Sequence, residues 1–230
     1  MQDDPTTLRL SLDAKAVVLI GDYSRGGKSR LVVKALDHDF RPTDKVTPYG
    51  ILLPDHDRLY LYFTCGPVTS DFIVDCLQDC WRQIHTDFPL VQTLVLLQDN
   101  GPENHSRRTQ FMHRMIEFSD AFQLNIRLTY YPPYHSKYNP IERVWGSLEQ
   151  HWNGTLLDSL TAVLGFAQSM TWNQKHPHVN FIQRTYPKGV RLSQAAMGEL
   201  EKRLERLAGL EKYFVSIRPI PMTQTGLLFH

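Results

Sequence analysis

The chain has 230 residues, 42% hydrophobic and 21% charged, an ordinary balance for a folded domain that excludes wholesale disorder. Lys and Arg number 25 against 24 Asp and Glu, a net charge of +1, so any nucleic-acid binding has to come from local patches rather than bulk charge. No apolar run is long enough for a membrane span, the polar start is unlike a secretory leader, and three cysteines make no disulfide framework, which predicts a cytoplasmic protein.

Leu8, Leu10 and Leu12 alternate with polar residues, predicting a strand. Ala16 to Ile20 predicts a second strand, close enough to pair with the first as a hairpin. Residues 21–57 read as an irregular, basic insertion carrying Pro42, Pro48 and Pro54, and Leu59 to Thr64 as a third strand. Thr69, Ser70 and Asp71 offer an N-cap to a helix whose stripe is Phe72, Ile73, Cys76, Leu77, Cys80, Trp81 and Ile84. Thr93 to Leu97 is a continuously apolar strand that runs into Gln98-Asp99-Asn100-Gly101. A helix follows over about 106–122, then a strand with Ile126, Leu128 and Tyr130 inward, and a proline loop at 132–137. Asn139-Pro140 opens a helix with the stripe Ile141, Val144, Trp145, Leu148 and Trp152. Further helices are expected at 156–173 and 193–212, with a loose tail after Pro219.

This order predicts an α/β fold: an RNase H-like mixed sheet flanked by helices, with a helical C-terminal extension. The expected division is a catalytic domain over 1–153, the helical extension over 154–218 and the tail over 219–230.

Three acids fall at rigid positions: Asp13 ends the first strand, Asp99 ends the apolar strand, and Glu142 lies in the first turn of its helix. Converging carboxylates repel one another unless divalent cations sit between them. Two such ions about 3.5–4 Å apart suit phosphodiester chemistry. Each acid also has a plain alternative. Asp99-Asn100-Gly101-Pro102 is turn chemistry, Asn139-x-x-Glu142 fits a capping box, and Asp13 could be a solvated strand end.

At these residues the sequence resembles the DDE transposases of bacterial insertion sequences, most closely the ISAzo-type family, the Rhodopirellula-type DDE domain. Ser11-Leu12-Asp13-Ala14-Lys15 is similar to that family's first acidic strand. Asp37-His38-Asp39-Phe40 with Pro48-Tyr49-Gly50-Ile51 resembles a second motif, and Gln98-Asp99-Asn100-Gly101 sits where the second acid does. Tyr131-Pro132-Pro133, Ser136-Lys137-Tyr138-Asn139 and Ile141-Glu142-Arg143 resemble the signature of the third acid, and Tyr186 to Ser193 a C-terminal segment. Two features depart from the family: Gly101-Pro102-Glu103-Asn104-His105 replaces a glycine-rich run, and Asn139-Pro140-Ile141-Glu142 is closer to mariner-like transposases.

The resemblance implies metal-dependent DNA strand cleavage and strand transfer at insertion-sequence ends, with Asp13, Asp99 and Glu142 holding two Mg²⁺ or Mn²⁺ ions. It implies transposon-end and target DNA as partners. It also implies a helix-turn-helix region that is expected here to be separately encoded or lost. The competing readings are an RNase H-like nuclease without strand transfer and an inactive transposase fragment.

For DNA contact the sequence nominates Arg25, Lys28 and Arg30 in the basic loop, Arg107 and Arg108 after Asp99, and Tyr134, Lys137, Tyr138 and Arg143 before and beside Glu142. Gly21 to Ser29 mimics a P-loop but has the wrong spacing and no helix signal behind it. Cys76 and Cys80, with His85 nearby, read as core residues rather than zinc ligands. The stripe Met197, Leu200, Leu204 and Leu207 reads as docking on the catalytic domain, with homodimerisation as the alternative use.

Overall fold

A computed structural model describes residues 4–21, 44–133 and 135–221. In chain order these form β1 (Thr7–Ala14), β2 (Val18–Ile20), β3 (Asp44–Leu53), β4 (Arg58–Thr64), α1 (Ser70–Ile84), β5 (Thr93–Asp99), α2 (Thr109–Phe122), β6 (Asn125–Tyr131), α3 (Ile141–Trp152), α4 (Leu160–Ser169), β7 (His178–Phe181), α5 (Gln194–Glu201), β8 (Leu204–Arg206) and β9 (Phe214–Ile217). The chain folds into two compact units: Met1–Ser11, Thr69–Asn139 and Pro187–His230 in the first, Leu12–Val68 and Pro140–Tyr186 in the second. The chain passes from one to the other within β1, after Ser11.

In the first unit β1, β5 and β6 run parallel, with Thr7 opposite Thr93 and Thr93 opposite Asn125. β9 adds antiparallel to β6, and β8 to β9. Leu94, Leu96, Ile126, Leu128 and Tyr130 are buried, while Val95, Leu97, Asp99 and Tyr131 on the alternate positions are half-buried. The α1 stripe read from the sequence is buried in full, and Thr69 caps the helix by accepting the Phe72 N–H at 3.2 Å. Arg114 of α2 bonds Asp71 at 2.6 Å and Asp75 at 2.8 Å, bracing α2 against α1.

In the second unit β2 and β4 flank β3 in antiparallel register, and β7 joins β4 in parallel. Its core gathers Val46, Leu61 and Phe63 from the strands, Val144, Trp145 and Trp152 from α3, and Val163 and Ala167 from α4. α3 lies close on β3 at Gly50, where a Cβ would stand 2.7 Å from Trp145 Cη2 and 2.8 Å from Ile141 Cδ1.

Several expectations are corrected. β2 pairs with β3, not with β1 as a hairpin. Residues 44–53, expected to be irregular, form a ten-residue strand. Within it Pro48 lies opposite Phe63 and offers its carbonyl to the Lys15 N–H at 2.9 Å. The helix expected over 193–212 stops at Glu201, and the chain turns into β8 and β9. Leu204, Val215 and Ile217 are buried in that pairing, which outweighs helix propensity. The C-terminal stretch therefore supplies strands as well as helices. The start of the expected tail is fastened, since the Ile220 N–H donates to Asp120 at 2.8 Å and its carbonyl accepts from Gln123 at 3.0 Å. Most of the basic loop, with the P-loop mimic, lies outside the described residues.

Candidate functional site

Asp99 is the last residue of β5, opposite Tyr131 of β6. The loop behind it is clamped from below. Asn104 Nδ2 donates to Gln98 Oε1 at 3.0 Å and to the Asp99 carbonyl at 2.9 Å. Tyr130, buried as strand parity predicts, donates its hydroxyl to the Asn104 carbonyl at 2.9 Å. A Cβ on Gly101 would meet Asn104 Oδ1 at 2.6 Å, so glycine lets the loop close over that amide. With backbone and loop fixed, the Asp99 carboxylate is left half-buried, and its Oδ1 has no hydrogen-bond partner. Burial raises its pKa, and its charge together with burial raises that of Tyr131.

In the second unit Asp13, near the end of β1, accepts the Trp145 indole N–H at Oδ2, 2.8 Å away. Sequence periodicity shows Trp145 only as part of an apolar stripe. The clue to its second role is that a buried indole needs an acceptor for its N–H. Trp145 follows Glu142 by one turn of α3, so the helix that carries Glu142 is tied to Asp13. Glu142 is half-buried in the first turn of α3. The Asn139 Oδ1 accepts from Ser11 Oγ at 2.5 Å, buried within the first unit. Lys15 pairs with Glu149, two turns beyond Glu142. Among the described residues, no three His, Cys, Asp or Glu side chains gather tightly enough to form a metal cage alone.

The nominated DNA contacts divide. Arg107, Lys137, Tyr138 and Arg143 are exposed, with the Lys137 ammonium 5.3 Å from the Tyr138 ring centre. Arg108 is buried instead, and its guanidinium bonds Glu103 at 2.9 Å, so it braces the loop rather than facing a ligand. Arg25, Lys28, Arg30 and Tyr134 lie outside the described residues. Cys76 and Cys80 are fully buried on α1, matching the core reading, and burial pushes the Cys76 thiol upward. His176 Nδ1 lies 2.8 Å from the Met170 carbonyl, and His178 stacks on Tyr60 at 4.6 Å.

No curated protein sequence matches the chain. Solved structures that resemble it include two of the Mos1 transposase. One is a Mos1 transposase paired-end complex with left transposon end, at 14% identity and TM-score 0.49. The other is a Mos1 mariner paired end complex with Mn, at 14% identity and TM-score 0.50. Each match covers 67% of this chain and 45% of the Mos1 chain, so the protein spans less than half the length of those relatives. The second likeness supports the fold: a mixed sheet flanked by helices, RNase H-like. The Rhodopirellula transposase DDE domain matches over residues 1–219, from ahead of the first acidic strand to past β9. With that match spanning almost all of its length, the chain belongs to the family of Rhodopirellula-type transposase DDE domains.

Proposed function

We propose that this domain cleaves DNA at insertion-sequence ends and joins the freed 3′-hydroxyl to target DNA, with Asp13, Asp99 and Glu142 as the acids that hold the catalytic metal. The observation that carries this reading is the Asp99 carboxylate: fixed at a strand end, desolvated, and with one oxygen lacking a hydrogen-bond partner. An orphaned hard-oxygen donor of this kind fits Mg²⁺ or Mn²⁺ and has no structural use otherwise.

Two divalent ions, when bound, supply charge neutralisation at the phosphate and a nucleophile at neutral pH. The chain's own contribution is orientation. Trp145 fixes one Asp13 oxygen, the Asn104 clamp fixes the Asp99 backbone, and α3 sets Glu142 one turn before Trp145. Exposed Arg107, Lys137, Tyr138 and Arg143 serve the DNA backbone and unpaired bases. A two-copy assembly and a separate helix-turn-helix subunit for end recognition belong to the same proposal.

The test is Mn²⁺- or Mg²⁺-dependent cleavage of DNA carrying the element's ends, followed by joining of pre-cut ends to a target plasmid. Asp99→Asn is expected to abolish both. Cleavage without joining would assign a nuclease instead, and metal-independent cutting by the Asp99→Asn protein would overturn the site.

A further inference from the structure

The β8–β9 hairpin, whose first strand the sequence reads as helix, comes down beside Asp99. Phe214 stands opposite Thr129, and Thr129 opposite Leu97, two residues before Asp99 on the same face. The Tyr130 N–H donates to the Tyr213 carbonyl at 2.9 Å, and Asn100 Nδ2 to the Lys212 carbonyl at 3.4 Å, so the hairpin turn is laced to the ends of β5 and β6. All of these residues belong to the first unit.

The turn's surface is unusual for a structural connection. Leu207, Leu210 and Phe214 are 52%, 43% and 39% exposed, three of the seven large apolar side chains exposed among the described residues. Lys212 is exposed and makes no ion pair among the described residues, and Arg107 is close enough for its charge to act on Glu211. The Glu211 carboxylate itself folds back to accept the Gly209 N–H at 2.8 Å. An exposed apolar strip with a ring at its inner end, edged by two cations, complements a strand with unpaired bases. Rings stack on bases, and cations meet phosphates.

We propose that the β8–β9 turn, through Phe214 and Lys212, is a docking strip for the unpaired DNA strand that passes Asp99. The proposal rests on the reading above for what happens at Asp99, but binding is measured without chemistry.

The experiment is fluorescence anisotropy of the full chain in EDTA. The probes are a duplex with a single-stranded 3′ overhang and a blunt duplex of the same length. Phe214→Ala is expected to weaken overhang binding by roughly five- to a hundredfold, the range for one lost base–aromatic stack. Blunt-duplex binding should stay within about twofold, and Phe214→Trp should bind as the parent does. Lys212→Ala should weaken both probes and lower the log–log salt slope by about 0.7–0.9, one phosphate contact. Lys45→Ala, an exposed lysine on β3, should change neither.

Parent-like binding of both probes by Phe214→Ala and Lys212→Ala would overturn the proposal. So would failure of the full chain to bind either probe, or equal loss on both probes in a Phe214→Ala protein that also melts early. If the hairpin variants behave as expected but no divalent ion supports cleavage, the catalytic reading falls and the docking strip stands. If cleavage requires Asp99 while the hairpin variants bind normally, only the strip falls.

Discussion

Asp99 and Glu142 make different demands on their surroundings, and each can be tested alone. Burial holds the Asp99 carboxyl above its ordinary value of 3.8. The ionised form is thus penalised by folding, which gives a sign. Below the unfolded pKa Asp99 is protonated in both states and costs nothing. As pH rises from the unfolded pKa the folded state carries a growing penalty, which levels off above the folded pKa. In EDTA, Asp99→Asn is expected to melt above the parent at pH 7, with the gain shrinking toward zero near pH 4. Divalent ion should then stabilise the parent and leave the variant unmoved. A variant that melts with the parent at every pH would remove the desolvated-ligand reading. For Glu142, Gln should serve as well as Glu at a helix start, whereas a metal site needs the charge. Glu142→Gln is expected to melt as the parent does and lose nearly all metal-dependent cleavage. Glu149 makes a poor control because it pairs with Lys15; the exposed Asp158→Asn is better and should cut normally. Normal cutting by Glu142→Gln would return that residue to a structural role.

At the scale of elements, the contact between α3 and β3 decides where Trp145 stands, and Gly50 permits it. Gly50→Ala drives a methyl into Trp145 and Ile141. Overpacking of this sort costs about 1–3 kcal/mol. It should also move the indole off Asp13, so cleavage is expected to fall by more than the loss of folded protein explains. Urea denaturation beside cleavage rates separates the two effects, and a variant with parental rates per folded molecule would show that Trp145 does not position Asp13. The same contact explains why β3 escaped the sequence reading. From Pro48 to Leu53 every residue is buried, so no two-residue alternation marks the strand, and Pro48 and Gly50 both argue against one. By contrast α1, β5 and α3 were legible, because one buried stripe or one short apolar run carries each of them. β8 and β9, at three and four residues, hold their place because β9 pairs with β6, far away in sequence, which local propensity cannot reveal.

Across the whole molecule, the chain passes from the first unit to the second at points that matter for the proposed chemistry. It leaves after Ser11, two residues before Asp13, and again after Asn139, three residues before Glu142. The motif positions that the proposal assigns to the acids were legible in the sequence. The hydrogen bond between Ser11 and Asn139 was not, because it joins side chains 128 positions apart. That buried bond fastens both exits together inside the first unit. Ser11→Ala removes the donor at almost no change in volume. Loss of a buried hydrogen bond is expected to lower stability by about 1–3 kcal/mol, read as a lower urea midpoint at unchanged slope. If the fastening also sets the acids for metal, the variant needs a higher Mn²⁺ concentration for half-maximal cleavage and approaches the parental rate once Mn²⁺ saturates. A purely structural bond would lower the folded fraction and leave the metal dependence where it was. Titration of cleavage against Mn²⁺ at a temperature where both proteins are folded therefore tells the two apart: coincident titration curves would sink the positioning role of Ser11 and Asn139.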